Sequence, residues 1–125
     1  MREIYPLLAL FLGHLLGDFT PLLTSKMIEA KEKGKPLLPI LIHASVHAAF
    51  VFFFLMIFKV AFFTAISCAV FEMFAHFAID TMKGKAAVKY PCTKNPKKQM
   101  FWTTLGVDQF LHIVCKTVIY FWAFS

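Results

Sequence analysis

Apolar and polar positions alternate along the chain in long blocks. Apolar runs cover about 5–23, 37–58, 61–82 and 101–124, and lysine-rich stretches separate the first run from the second and the third from the fourth. A helix needs roughly 20 apolar residues to cross the hydrocarbon core of a bilayer. The pattern therefore predicts four membrane spans that use most of the 125 residues. The fold class expected is all-α: one domain over 1–125, an integral membrane four-helix bundle with antiparallel up-down topology. Pro6 suits the start of the first span, and Pro21 is expected to kink or stop its end. "TSKMIEAKEKGKP" intersperses Met27, Ile28 and Ala30 with charges, which predicts a short interfacial helix ending at Gly34. Pro36 and Pro39 open the second span. A tight turn at Lys59 joins spans two and three. "KGKAAVKYPCTKNPKKQ", with Gly84, Pro91 and Pro96, reads as the one long loop. Tyr5, Trp102, Tyr120 and Trp122 fall near span ends, where interfacial aromatics belong.

The polar residues inside the runs repeat one spacing. "HLLGD" puts His14 and Asp18 four apart, "HASVH" does so for His43 and His47, "HFAID" for His76 and Asp80, and "DQFLH" for Asp108 and His112. Every histidine and aspartate of the chain is in one of these pairs, and Glu72 adds one more turn to the third. Residues four apart share a helix face. An aspartate turned to lipid at mid-membrane costs on the order of 3 kcal/mol, so all four faces are expected to turn inward. Counted from the lysine-rich ends at about 1.5 Å per residue, the pairs fall in one slab.

Composition reinforces the membrane reading. Hydrophobic residues make up 59 % of the chain, with 16 Phe and a mean hydropathy of +0.69, against about 45–50 % apolar in soluble domains. The Phe clusters at Phe52–Phe54 and Phe62–Phe63 read as lipid-facing bulk. Arg2 precedes the first run, but no small-x-small site follows it and His14 and Asp18 interrupt it, so the run is expected to be retained rather than cleaved. The net charge of +6 would suit nucleic acid, but its placement does not. Lysines collect in the two stretches named above, and the other face has only Arg2 and Lys59. Positive loops stay in the cytoplasm. The expected location is a membrane bordering the cytoplasm, multi-pass, with both termini outside the cytoplasm. Membrane lipids are the expected partners, with anionic headgroups drawn to the lysines, and a homo-oligomer is allowed. Cys68, Cys92 and Cys115 are odd in number and lack a Cys-x-x-Cys spacing, so they are read as reduced thiols.

Four histidine-bearing faces meeting in a low-dielectric core point to a metal. Imidazole and carboxylate suit zinc first, then iron or manganese, and a cation offsets the burial of carboxylates. The ligand set read from the pairs is His14, Asp18, His43, His47, His76, Asp80, Asp108 and His112. Eight donors exceed one tetrahedral zinc, so the centre holds one or two ions. Gly13 and Gly17 flank the first pair in a Gly-x-x-x-Gly spacing that favours close helix approach. The bland alternative is a set of structural hydrogen-bonded pairs. Lys116, one turn beyond His112, reads as incidental, either snorkelling outward or offsetting a carboxylate.

The elements "HLLGDF", a span-two histidine, "HFAIDTMK" and above all "DQFLH" resemble an uncharacterised family of small bacterial and phage membrane proteins, domain of unknown function 3307. The resemblance runs from about Phe11 to Ile119. It departs after "DF", where the family often has Gln and "TPLLT" follows here. It implies a topology and motif positions, not a reaction.

The leading functional expectation is a metal-dependent membrane hydrolase acting on a lipid or lipid-linked phosphate near the cytoplasmic leaflet. Glu72 or Asp108 would be the general base, Lys83 would hold a phosphate and Gln109 would donate a hydrogen bond. The alternatives are a metal-ion or proton transporter, and a small structural or regulatory membrane protein with a structural metal.

Overall fold

The computed structural model describes residues 3–125, so Arg2 lies outside it. Five α-helices and one 3-10 turn account for most of the described residues, and no strand occurs among them. They are α1 (Tyr5–Asp18), α2 (Ser25–Lys33), α3 (Leu37–Ile57), α4 (Phe62–Lys89) and α5 (Gln99–Ala123), with the 3-10 turn at Pro91–Lys94. Helix α1 packs on α3 and α5, α3 on α4, and α4 on α5, while α2 lies against α3 and α4.

Helix boundaries follow local chemistry. In α2, the Thr24 side chain accepts a hydrogen bond from the Met27 amide at the N-terminus. At its C-terminus Gly34 takes φ +66°, the left-handed cap that glycine supplies without a Cβ clash. The short helix ending at Gly34 is therefore present. Lys59 adopts φ 59° in the tight turn between α3 and α4.

Two expectations on length need correction. Helix α1 stops at Asp18 rather than near residue 23. The Thr20 hydroxyl bonds back to the Leu16 carbonyl, and Pro21 has no amide with which to continue the ladder. With 14 residues, α1 is about 21 Å long. Helix α4 instead runs through Gly84 to Lys89, where a loop was expected. Mid-helix glycine is costly by about 1 kcal/mol, but Gly84 meets α2: a Cβ there would run into the Lys31 carbonyl and the Gly34 backbone. Close approach explains the glycine, and the helix ends only ahead of Pro91.

Two helices, α3 and α4, are long and apolar enough to cross a membrane. An apolar core of Leu10, Val51, Leu55, Ala65, Cys68 and Ile119 joins α1, α3, α4 and α5. Tyr120 belongs to it, 7 % exposed with its hydroxyl on the Glu3 carbonyl, and so is not an interfacial aromatic. All three cysteines are free.

Candidate metal centre

Helical spacing carries the four pairs inward. His14, Asp18, His43, His47, His76, Asp80, Asp108 and His112 are all buried, none more than 9 % exposed. They converge in three groupings of potential ligand atoms: Asp18 with His43, His47 and His76; His14 with His76 and His112; and Asp80 with Asp108 and His112. His76 is shared by the first two and His112 by the last two. The His76 ring centroid lies 5.7, 5.1, 3.8 and 4.1 Å from those of His14, His43, His47 and His112.

Donor spacing in the first grouping suits a small cation. Nε2 of His43 and of His47 lie 2.9 and 3.1 Å from Asp18 Oδ1. His76 Nε2 lies 3.3 Å from His43 Nε2 and 3.9 Å from Asp18 Oδ1. Ligands about 2.1 Å from a tetrahedral ion stand about 3.4 Å apart. Gly17 makes this possible, because a Cβ at that position would clash with the His47 ring. Gly13 serves the same approach one turn away, against Phe50 and Phe54.

The third grouping contains atoms with unmet bonding capacity. His112 Nε2 is 3.5 Å from Asp80 Oδ1 and 3.6 Å from Asp108 Oδ1, and none of these three atoms has a hydrogen-bond partner. Asp80 Oδ2 has His76 Nε2 at 3.3 Å and forms an ion pair with Lys31 Nζ at 3.2 Å. A buried polar group without a partner costs about 1–3 kcal/mol, and more when charged. A cation among them would supply the missing partner of Asp80 Oδ1, Asp108 Oδ1 and His112 Nε2. Asp80 turns Oδ2 towards His43 and His76 of the first grouping and Oδ1 towards His112 of the third. The residues present therefore fit a metal ion.

The other expected site residues occupy defined places around the ligand atoms. Gln109 donates from Nε2 to Asp108 Oδ2 at 3.1 Å, and its Oε1 lies 3.2 Å from His14 Nε2. Lys83 donates to the other side of Asp108 Oδ2 at 2.8 Å. Glu72 belongs to none of the three groupings. It stands behind His76, with Oε1 3.2 Å from Nδ1, and pairs there with Lys116. Histidine ligands commonly carry such a carboxylate on the ring nitrogen away from the metal.

Two lysines escaped the sequence reading as site residues. Lys116 is 1 % exposed and offsets the Glu72 carboxylate rather than snorkelling outward. Its signal was its place one turn beyond His112 on the same face. Lys31 reaches in from α2 to within 3.4 Å of Asp18 Oδ1 and 3.2 Å of His43 Nε2. Burial alone would lower its pKa, but the Asp80 and Asp18 carboxylates outweigh that and hold it above the ordinary lysine value. Nothing in a run of alternating charges marks Lys31 off from its solvated neighbours.

Neither the curated proteins nor the solved structures yield a match to the chain. One family pattern does, over residues 7–125, under the description "Protein of unknown function (DUF3307)". The chain belongs to that family.

Proposed function

We propose that the protein is a four-helix membrane bundle carrying a two-ion metal centre, and that it hydrolyses a lipid or lipid-linked phosphate at the cytoplasmic leaflet of a bacterial inner membrane. The observation that carries the membrane part is an inside-out polarity. Eight ionisable ligand candidates are buried, while Phe53, Phe63, Phe74 and Phe121 are 57, 82, 60 and 52 % exposed. Such an outer surface suits lipid, where exposed apolar side chains cost nothing and exposed charges cost several kcal/mol. Helices α1 and α5 complete the bundle beside α3 and α4, with α2 lying at the lysine-rich surface.

Charge supports an anionic substrate. Asp18, Glu72, Asp80 and Asp108 face the lysines Lys31, Lys83 and Lys116. Four carboxylates against three ammonium groups leave one negative charge, which a single divalent ion reverses. Held by these residues, such an ion would supply Lewis-acid chemistry, polarising a phosphoryl oxygen and lowering the pKa of a bound water. Asp108, at the edge of the donor set and held by Lys83 and Gln109, is the residue best placed to take a proton. His76 and His112, each shared by two of the three groupings, would link them as common ligands. Zinc is the first choice of metal, with iron or manganese accommodated by the same donors.

A transporter would need polar groups towards both ends of the helices. Beyond the cluster, on the side away from the lysine-rich stretches, lie Leu10, Val51, Leu55, Cys68 and Ile119, which favours chemistry over passage. The test is elemental analysis of detergent-purified protein beside His76→Ala and His112→Ala, with helicity followed by circular dichroism. About two ions per wild-type chain, reduced in both variants without loss of helix, is the result expected. Equal metal in all three proteins overturns the proposal.

A further inference from the structure

A cavity of about 250 Å³ opens beside the donor cluster, between α2, the end of α4, the 3-10 turn and the start of α5. Lys31, Lys83 and Lys94 line it together with the apolar Leu23, Ile28 and Phe101, and Glu32 is the single acid of its wall. Two of its lysines are the cluster's own neighbours. Lys83 Nζ is 2.8 Å from Asp108 Oδ2 and Lys31 Nζ is 3.2 Å from Asp80 Oδ2. Lys94, at the end of the 3-10 turn, makes no ion pair among the described residues.

We infer that this cavity seats a phosphorylated headgroup, with its phosphate among Lys31, Lys83 and Lys94 and its ester bond turned towards the cluster. The inference rests on the reading of that cluster as a metal centre. Lysine binds phosphate as a mobile point charge, and three converge here from three separate elements. When Asp80 and Asp108 serve an ion, the ammonium groups of Lys31 and Lys83 lose their claim on those oxygens and turn to the cavity. Size limits the occupant. Drug-sized ligands take roughly 300–1,000 Å³, so this open space covers no more than one small headgroup. Its apolar wall suits the first carbons of a lipid tail.

The test uses zinc-loaded, detergent-purified full chain and two probes: phosphatidic acid against phosphatidylcholine by native mass spectrometry, and inorganic phosphate by calorimetry. Metal content is measured on the same samples. Selective binding of phosphatidic acid, weakened about tenfold by Lys94→Gln and restored by Lys94→Arg, supports the seat. A further loss in Lys83→Gln is expected. Inorganic phosphate binding as tightly as phosphatidic acid, with the same lysine dependence, assigns the seat to free phosphate. Metal bound with no preference for either phosphate probe overturns this inference and leaves the metal centre standing. Absence of metal with lysine-dependent phosphate binding sinks the metal centre and keeps the seat. Loss of both overturns both.

Discussion

Glu72 Oε1 sits 3.2 Å from Nδ1 of His76, while the opposite nitrogen of that ring faces Asp18, His43 and Asp80. The carboxylate thus fixes which ring nitrogen meets the ligand cluster. Removing an outer partner of this kind typically costs 10- to 100-fold in metal affinity. Glu72→Gln should weaken zinc binding by about that factor while the five helices persist. Zinc titration against a competing chelator reads the affinity.

The same substitution strands a buried ammonium, since Lys116 is 1 % exposed and loses its partner. Breaking one side of a buried ion pair costs about 3–5 kcal/mol, whereas replacing both sides is often neutral. The double variant Glu72→Gln/Lys116→Met should therefore recover most of the thermal stability lost by Glu72→Gln alone, yet keep the weakened metal affinity. Recovery of both would mean that His76 needs no carboxylate behind it.

Gly17→Ala places a methyl group in steric overlap with the His47 ring. His47 must swing away from Asp18, and the first grouping loses a donor. The expected result is at least a tenfold loss of zinc affinity. Gly106→Ala is the comparison, because nothing lies within 4 Å of a Cβ there. It should keep its zinc and gain up to about 1 kcal/mol of helix stability.

Lys31→Met should act with opposite signs on two ligands. An ammonium 3.2 Å from Asp80 and 3.4 Å from Asp18 competes with any cation for those oxygens. Its removal should tighten zinc binding by about tenfold or more, a conservative share of a contact charge at intermediate dielectric, and should weaken phosphatidic acid binding. Movement of both affinities in one direction would contradict the assignment of Lys31 to the wall between cluster and cavity.

Gly84→Ala should lift α2 off α4, because the new methyl group meets the Lys31 carbonyl and Gly34. Hydrogen exchange should then quicken across Ser25–Lys33 and stay slow in α3.

Much of this arrangement was written in the spacing of the histidines and aspartates. Four stripes with a four-residue period can avoid lipid only by meeting, and the eight side chains do meet. What the sequence hid was contributed by residues with two plausible fates. Lys31 stands in a stretch where every lysine looks solvated, and only the docking of α2 on Gly84 decides that this one turns inward. Lys116 was legible as a neighbour of His112, but its destination depended on Glu72 arriving from another helix. The lengths of α1 and α4 were misjudged for a related reason. Hydropathy does not register the Thr20 hydroxyl that closes α1, nor the contact that makes a mid-helix glycine worthwhile at residue 84.

The packed apolar layer around Leu10, Val51, Leu55 and Ile119 closes the bundle on one side of the ligand cluster. Under the proposed function, reactant and product would therefore pass on the lysine-lined side or beside Asp108, and not through that layer.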